Sequence, residues 1–232
     1  MITDSIRFGT EQIDYRIVYS ARKTLGISVT PEMEIVVRAP ESISAEKIKV
    51  IVRKKAVWIT KQRNNFEAFQ PRTKSRKYIS GETHLYLGRS YKLIVKSGSP
   101  DSVILKNGEI QITVNGKSTS KEVLSKWYRS RAEKTFNEMI NPIIRRFRKY
   151  KVEPSHIALK VMPKRWGSCT PKGKIILNPE LIKAPKGCIE YVMIHEMCHL
   201  VHHGHTRKFY ELQKREMPDW EKWKMKLERI LS

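Results

Sequence analysis

A pair of histidines four residues apart constrains this chain more than any other feature. His195 and His199 enclose Glu196 in the segment His195-Glu196-Met197-Cys198-His199. In an α-helix, residues four apart lie about one turn apart along the axis and about 40° apart around it, so both imidazoles can reach one metal ion. Glu196, about 100° from His195, is too far round to join them but can accept a proton from a metal-bound water. The spacing predicts a metal centre on a helix.

The surrounding residues are those of a buried helix. Pro185 suits a position in the first turn, so the helix is expected to begin near it. Apolar residues then follow on the helix, which is the setting expected around an active-site helix of a metal-dependent peptidase. They are Ile189, Val192, Met193 and Leu200.

A catalytic zinc usually has three protein ligands and an open fourth position, so a third ligand is required. His202 is excluded, because a straight helix would spread the three ligands over about 10 Å of rise. Gly204 is expected to end the helix in a left-handed conformation, so that His205 follows on a chain that has turned back. This geometry favours His205, with His203 as the alternative, while Cys198 is expected to pack in the interior. One zinc ion per chain is predicted.

This set of residues predicts a zinc-dependent peptidase. Zinc lowers the pKa of bound water from about 16 to about 7, Glu196 removes a proton, and the hydroxide attacks a peptide carbonyl. Glu196 can return the proton to the leaving amine. Spacing does not select the group that stabilises the oxyanion, for which four candidates have equal weight. They are Arg165, Tyr191, His203 and Tyr210.

Residues 1–117 show short strand patterns interrupted by one helical pattern. The helix is expected to begin after Ser44, which suits an N-cap, and to end near Lys61. Asn107-Gly108 predicts a type I′ hairpin, because that turn needs both positions at positive φ. The first region is therefore expected to be mainly β, and no internal repeat is evident.

Residues 118–232 are expected to form the catalytic domain of an α+β protein. Thr119 and Glu122 have the spacing of a capping box and precede a long apolar pattern, which predicts a long helix. Later in this region, Trp166, Gly167, Ser168 and Cys169 have the pattern of a strand, which could be an edge for an extended peptide substrate. An equal alternative is that Trp166 belongs to the core and Cys169 fills space.

The chain is strongly basic, with 46 Lys and Arg against 23 Asp and Glu and a net charge of +23. Such an excess favours polyanions, so binding to nucleic acid without sequence preference is expected, with solvated charge as the alternative. One basic cluster that could contact phosphates comprises Arg145, Arg146 and Arg148.

Other features of composition limit the cellular setting. The three cysteines, Cys169, Cys188 and Cys198, show no C-x-x-C pairing, which predicts free thiols. The first residues contain no apolar run of signal-peptide length, and the sequence contains no uncharged apolar stretch of about 18 residues. A cytoplasmic protein without membrane association is expected; the oligomeric state is left open.

Several motifs together resemble the YgjP-like metallopeptidase family, and the resemblance covers nearly the whole chain. They are Arg165-Trp166-Gly167-Ser168-Cys169, Ile176-Leu177-Asn178 with Leu181, His195 to Leu200, His205 to Phe209, Met217-Pro218-Asp219, Arg38-Ala39-Pro40 and Trp58-Ile59. The resemblance implies a zincin-like catalytic fold, zinc bound by His195, His199 and His205, and Glu196 as the catalytic residue.

The resemblance implies less about the substrate. The family is similar to SprT-like proteases, which act on DNA-bound proteins, but this chain has no cysteine-rich zinc module after its catalytic helix. The main hypothesis is an endopeptidase that hydrolyses protein or peptide substrates. The alternative is a nucleic-acid-associated protein in which zinc is structural and proteolysis is weak or absent. Structural zinc sites are normally closed by four protein ligands, so the number of ligands distinguishes the two.

Overall fold

The chain divides into two compact units. A computed structural model describes residues 2–30, 33–67, 76–163 and 165–231, apart from the side chains of residues 65 and 66. The units are Met1–Arg72 and Thr73–Ser232. The boundary expected at residue 117 falls inside the second unit, because strands before it and a helix after it share one hydrophobic core. The fold is α+β, as predicted, and each unit begins with strands.

The first unit begins with a four-stranded sheet made of two hairpins. Its strands are β1 (Ile2–Phe8), β2 (Glu11–Tyr19), β3 (Gly26–Val29) and β4 (Ile35–Ala39). They lie in the order β1-β2-β4-β3, with β2 and β4 parallel and the outer pairs antiparallel. The strand β1 was not anticipated from the sequence.

Two helices follow this sheet where one was predicted. The first, α1 (Ala45–Lys54), begins at the predicted N-cap, because the Ser44 side chain accepts a hydrogen bond from the backbone N–H of Lys47. Lys55 leaves helical geometry, with φ −100° and ψ 3°, and α2 (Ala56–Glu67) begins directly after it. Both helices contribute to one apolar core with the sheet, formed by Ile13, Tyr15, Ile17, Val37, Ile48, Val52, Ala56 and Ile59.

The second unit also begins with two hairpins. Its strands are β5 (Thr83–Tyr86), β6 (Arg89–Ser97), β7 (Ser102–Lys106) and β8 (Glu109–Val114). The turn between β7 and β8 is the predicted one, with φ +51° at Asn107 and +76° at Gly108. The strand order is β5-β6-β8-β7, with β6 and β8 parallel, as β2 and β4 are in the first sheet.

The two sheets therefore share one topology. In both, a helix with a side-chain N-cap follows the last strand at the same distance along the chain, Ser44 after Ala39 and Thr119 after Val114. This duplication is visible in strand order and spacing, whereas the sequence shows no evident repeat.

The helix α3 (Ser120–Phe147) packs on the second sheet and on the catalytic elements. Thr119 and Glu122 form the predicted capping box, and the helix continues through Pro142. A three-stranded sheet of β9 (His156–Leu159), β10 (Gly167–Cys169) and β11 (Lys174–Leu177) follows, in the order β10-β11-β9. Short 3-10 segments lie at Arg148–Tyr150 and Pro179–Lys183. The last three helices are α4 (Lys186–Val201), α5 (Arg207–Glu216) and α6 (Trp220–Leu231).

Candidate active site

The helix α4 carries the two histidines and the glutamate of the motif. Pro185 is its N-cap, one residue earlier than the first-turn position expected from the sequence. Most of the helix is buried, and Gly187 allows α6 to cross it closely, since a Cβ there would lie 2.5 Å from the ring of Trp223. A well-packed helix holds His195 and His199 in fixed positions, which suits a preformed ligand pair.

Three imidazoles converge at the end of this helix. The ligand nitrogens of His195, His199 and His205 lie within 4.8 Å of one another. The Nε2 atoms of His195 and His205 are 3.1 Å apart. Two nitrogens bound to one tetrahedral zinc at about 2.0–2.1 Å are about 3.3 Å apart, so this spacing fits a single zinc ion. His205 is exposed, which leaves one side of the cluster open to solvent.

A short segment brings His205 to the cluster. The helix α4 ends at Val201, and His202 is its C-cap in an extended conformation with φ −133° and ψ 104°. Gly204 is not among the residues with positive φ, so the expectation that it turns the chain in a left-handed conformation was wrong. The chain leaves the helix earlier, at His202, whose carbonyl accepts a hydrogen bond from Nδ1 of His199 at 3.3 Å.

A second layer of side chains orients the histidines. Nδ1 of His195 donates to Oε1 of the fully buried Gln213 at 2.9 Å, which directs the lone pair of Nε2 towards the other imidazoles. Burial lowers the pKa of His195 to about 4, so the ring is neutral at neutral pH, as a metal ligand must be. The ring of Phe209 lies 4.6–5.0 Å from all three imidazole rings.

The sequence patterns do not single out Gln213 or Phe209 as site residues. Both lie on α5, four residues apart and therefore on one face of that helix. In the sequence, one signal could have suggested them: Phe209 and Gln213 follow His205 at successive intervals of four residues, which is the helical spacing. Only the packing of α5 on α4 shows which histidine each one contacts.

Glu196 lies between the histidines and the strand β10. Its side chain is buried, with 5% of its surface exposed. A Cβ at Gly167 would lie 2.6 Å from its Oε1 atom, and its carboxylate accepts a hydrogen bond from the backbone N–H of Cys169. Burial raises the pKa of Glu196 to about 8, against the opposing effects of the Arg165 charge and the Cys169 hydrogen bond.

A cleft of about 710 Å³ opens beside Glu196. The predicted strand residues Trp166, Gly167, Ser168 and Cys169 line it, together with the three histidines of the cluster. Of the four oxyanion candidates, Arg165, Tyr191 and His203 line this cleft and Tyr210 does not. Burial raises the pKa of Tyr191 above its usual range, so its hydroxyl remains a hydrogen-bond donor.

Comparison with known families agrees with this geometry. The profile described as YgjP-like, metallopeptidase domain, matches residues 23–230. The chain belongs to the YgjP-like metallopeptidase family. No curated protein and no solved structure matches it. Family membership supports a metallopeptidase, and the three converging histidines are residues that fit its metal.

The three cysteines of this YgjP-like protein are free thiols. Cys188 and Cys198 are buried and free, and burial raises the pKa of Cys198 to about 12. Among the described helices, none is long and apolar enough to cross a membrane.

The basic cluster of Arg145, Arg146 and Arg148, at the C-terminal end of α3, is partly engaged in ion pairs in this YgjP-like protein. Nε of Arg146 lies 3.2 Å from the buried carboxylate of Glu216, and Arg148 lies 3.5 Å from Glu153. Within the described part of the chain, Arg145 has no recorded ion pair. Of the three residues, Arg145 therefore remains the freest to contact a phosphate.

Proposed function

We propose that this protein is a zinc-dependent endopeptidase that cleaves extended segments of protein substrates, with one zinc ion per chain and Glu196 as the general base. One observation carries the proposal: the Glu196 carboxylate lies between a cluster of three histidines and the open edge of β10. Three protein ligands leave a fourth position for water or substrate, which supports a catalytic metal over a structural one.

The free edge of β10 is suited to bind a polypeptide backbone. β10 pairs with β11 on one side, and no strand in the described residues pairs with its other side. The backbone groups of Trp166 and Thr170 bond towards β11, so by alternation those of Gly167 and Cys169 point to the open side. An added peptide strand would therefore lie next to Glu196, because the N–H of Cys169 already reaches that carboxylate.

The residues of the site would have distinct roles in hydrolysis. His195, His199 and His205 would hold the zinc, which supplies Lewis acidity and lowers the pKa of a coordinated water to about 7. Glu196 accepts a proton from the attacking water and donates it to the leaving amine. Its position suits this role, since the carboxylate is buried against Gly167 and lies beside the three histidines.

The decisive experiment compares the zinc-loaded protein with its Glu196→Gln variant on an unfolded protein substrate. The amide preserves shape but cannot accept a proton, so cleavage should fall by about 10²–10⁴-fold while zinc content is unchanged. Cleavage at the original rate by the variant would contradict the proposal. Absence of cleavage by the wild-type protein on a broad peptide library would favour the nucleic-acid-associated alternative.

We further propose that the protein associates with nucleic acid, favoured by an exposed stripe on α1 and α2. Three apolar side chains are highly exposed: Val50 at 55%, Val57 at 70% and Trp58 at 41%. Arg53 and Lys54 on α1 and Lys61 on α2 are also exposed. Cations near an exposed aromatic ring are suited to bind single-stranded nucleic acid. Its phosphates pair with the charges and its bases stack on the ring.

Fluorescence anisotropy on single-stranded and duplex oligonucleotides tests this second proposal. Log affinity for a single strand should fall linearly with log salt, by about 0.7 per phosphate contact. Arg53→Glu with Lys54→Glu should flatten that dependence and Trp58→Ala should weaken binding. The control is Arg7→Glu with Lys23→Glu, two exposed cations outside the stripe. Equal losses in stripe and control variants, or binding only to anionic lipid vesicles, would contradict the proposal.

A further inference from the structure

The cleft beside Glu196 would have an excess of positive charge once a metal ion is bound. Among the described residues that line it, Glu196 is the one carboxylate and Arg165 the one side chain that is always cationic. A metal ion held by the three histidines would add positive charge to the same space. The field of the cleft therefore favours a substrate that carries a carboxylate.

The backbone that carries Arg165 is held in place by a buried side chain. Nδ2 of Asn178 donates to the carbonyl oxygens of Met162 and Arg165, at 2.9 and 3.0 Å. The N–H of Asn178 donates to the carbonyl of Trp166 at 2.9 Å. Arg165 therefore enters the cleft from an anchored segment directly before β10.

The guanidinium of Arg165 forms no salt bridge with the described residues, so apart from its longer-range effect on Glu196 it is exposed and unpaired at the cleft. Arg207, which is also exposed and lies two residues after His205, instead pairs with Glu211 at 2.8 Å. A guanidinium presents two parallel N–H donors that match the two oxygens of a carboxylate. Arg165 is thus available to bind a substrate group.

Strand geometry determines which substrate residue would reach Arg165. A peptide added antiparallel to β10, the more stable pairing, runs from Cys169 towards Arg165. Its scissile carbonyl must lie beside Glu196, level with Gly167 and Cys169. Arg165 lies two residues before Gly167, about 7 Å along the strand, so it faces residues that follow the scissile bond.

We propose that Arg165 forms a carboxylate-binding subsite, which selects peptides with a carboxylate one or two residues after the scissile bond. The carboxylate is that of an Asp or Glu side chain or that of the peptide C-terminus. This inference rests on the proposed peptidase function and names the substrate class of the same site.

Matched internally quenched peptides test the inference on the zinc-loaded protein. One pair carries Glu or Gln at the two positions after the scissile bond, and a second pair carries Gln there with a C-terminal acid or amide. A charge-assisted bidentate contact should raise kcat/KM for the carboxylate peptide about tenfold or more. The pair that shows the difference identifies the source of the carboxylate.

Variants of Arg165 distinguish recognition from a general effect on catalysis. In Arg165→Gln the ratio of kcat/KM between the Glu and Gln peptides should fall to about one, and Arg165→Glu should reverse the preference towards Lys peptides. Arg207→Gln is the matched control and should keep the wild-type ratio. If Arg165 acts on the oxyanion instead, Arg165→Gln will slow both peptides equally and leave the ratio unchanged, which overturns the inference.

A binding measurement separates this inference from the peptidase proposal. The zinc-loaded Glu196→Gln variant should bind the Glu peptide about tenfold more tightly than the Gln peptide, and adding Arg165→Gln should abolish the difference. Selective binding without cleavage by the wild type would refute the proposed function and retain the subsite. Cleavage and binding that do not depend on the substrate carboxylate would refute the subsite and retain the proposed peptidase function.

Discussion

Gly167 and Glu196 are in such close contact that no side chain fits between them. A Cβ at Gly167 would lie 2.6 Å from Oε1 and 2.8 Å from Cγ of Glu196. Gly167 does not have positive φ, so glycine is needed here for space and not for backbone conformation. Gly167→Ala should displace the carboxylate and lower kcat by about 10²-fold or more, while zinc content stays at one ion per chain. Gly26→Ala controls for a general effect of the extra methyl group on activity, because Gly26 lacks positive φ and its added Cβ would meet only the flexible end of the Arg22 side chain.

The three-histidine cluster predicts which substitutions remove the metal. His195→Ala, His199→Ala and His205→Ala should each lose zinc, measured by elemental analysis after dialysis, because each removes one of three ligands. His202→Ala should keep zinc, since His199 bonds to the backbone carbonyl of His202 and not to its side chain. Full zinc in His205→Ala together with loss in His203→Ala would overturn the ligand assignment.

Gln213 should control zinc affinity without being a ligand. Gln213→Leu removes the acceptor of the His195 Nδ1–H, and loss of such a partner typically lowers metal affinity about 10–100-fold. Gln213→Glu keeps an acceptor and should retain affinity. Competition with a chromogenic chelator measures both. Lys214→Leu, an exposed change on the same helix, is the control; a similar loss there would point to a general effect of disturbing α5.

Glu216 should stabilise the fold in a pH-dependent manner. Burial raises its pKa, but hydrogen bonds from Tyr150 and Lys149 and the charges of Lys149 and Arg146 outweigh this, so the pKa lies below the ordinary value of 4.5. A lowered pKa in the folded state contributes stability that is complete above the ordinary value and lost as pH falls through the lowered one. Glu216→Gln should cost about 1–3 kcal/mol near neutrality and less at low pH.

Thermal denaturation between pH 7 and pH 3 measures this effect. The difference in Tm between wild type and Glu216→Gln should shrink as pH falls below about 4.5. Glu153→Gln is the control, because its exposed pair with Arg148 should contribute about 0–1 kcal/mol. A Tm difference for Glu216→Gln that is constant with pH would show that packing, and not charge, is responsible.

Features governed by neighbouring residues were predictable from the sequence. The hairpin at Asn107-Gly108 and the capping box of Thr119 and Glu122 formed as predicted, since their hydrogen bonds and φ values involve residues at most four apart. The pairing of His195 with His199 on one helix follows from the same short-range periodicity. Such patterns depend little on the rest of the chain.

The predictions were wrong where the structure depends on contacts between segments that are far apart in the sequence. The break of the first helix at Lys55 and the position of β1 depend on the packing of the first unit, which no local pattern records. The division of the chain after Arg72 depends on which strands share a core with α3. Local propensity is too weak to decide either, because tertiary contacts contribute more free energy than the intrinsic preference of single residues.

The candidate site shows the same difference between features set by neighbouring residues and features set by long-range contacts. The sequence by itself determined that one helix carries His195, Glu196 and His199 at these spacings, because the helical period places them whatever the surroundings. Spacing left His203 and His205 as alternatives, and only the tertiary structure brought the His205 nitrogen to 3.1 Å from that of His195. It also brought Gln213 behind His195 and Gly167 against Glu196. These contacts join α4 to α5 and to β10, and they exist only once the hydrophobic core has packed those elements together.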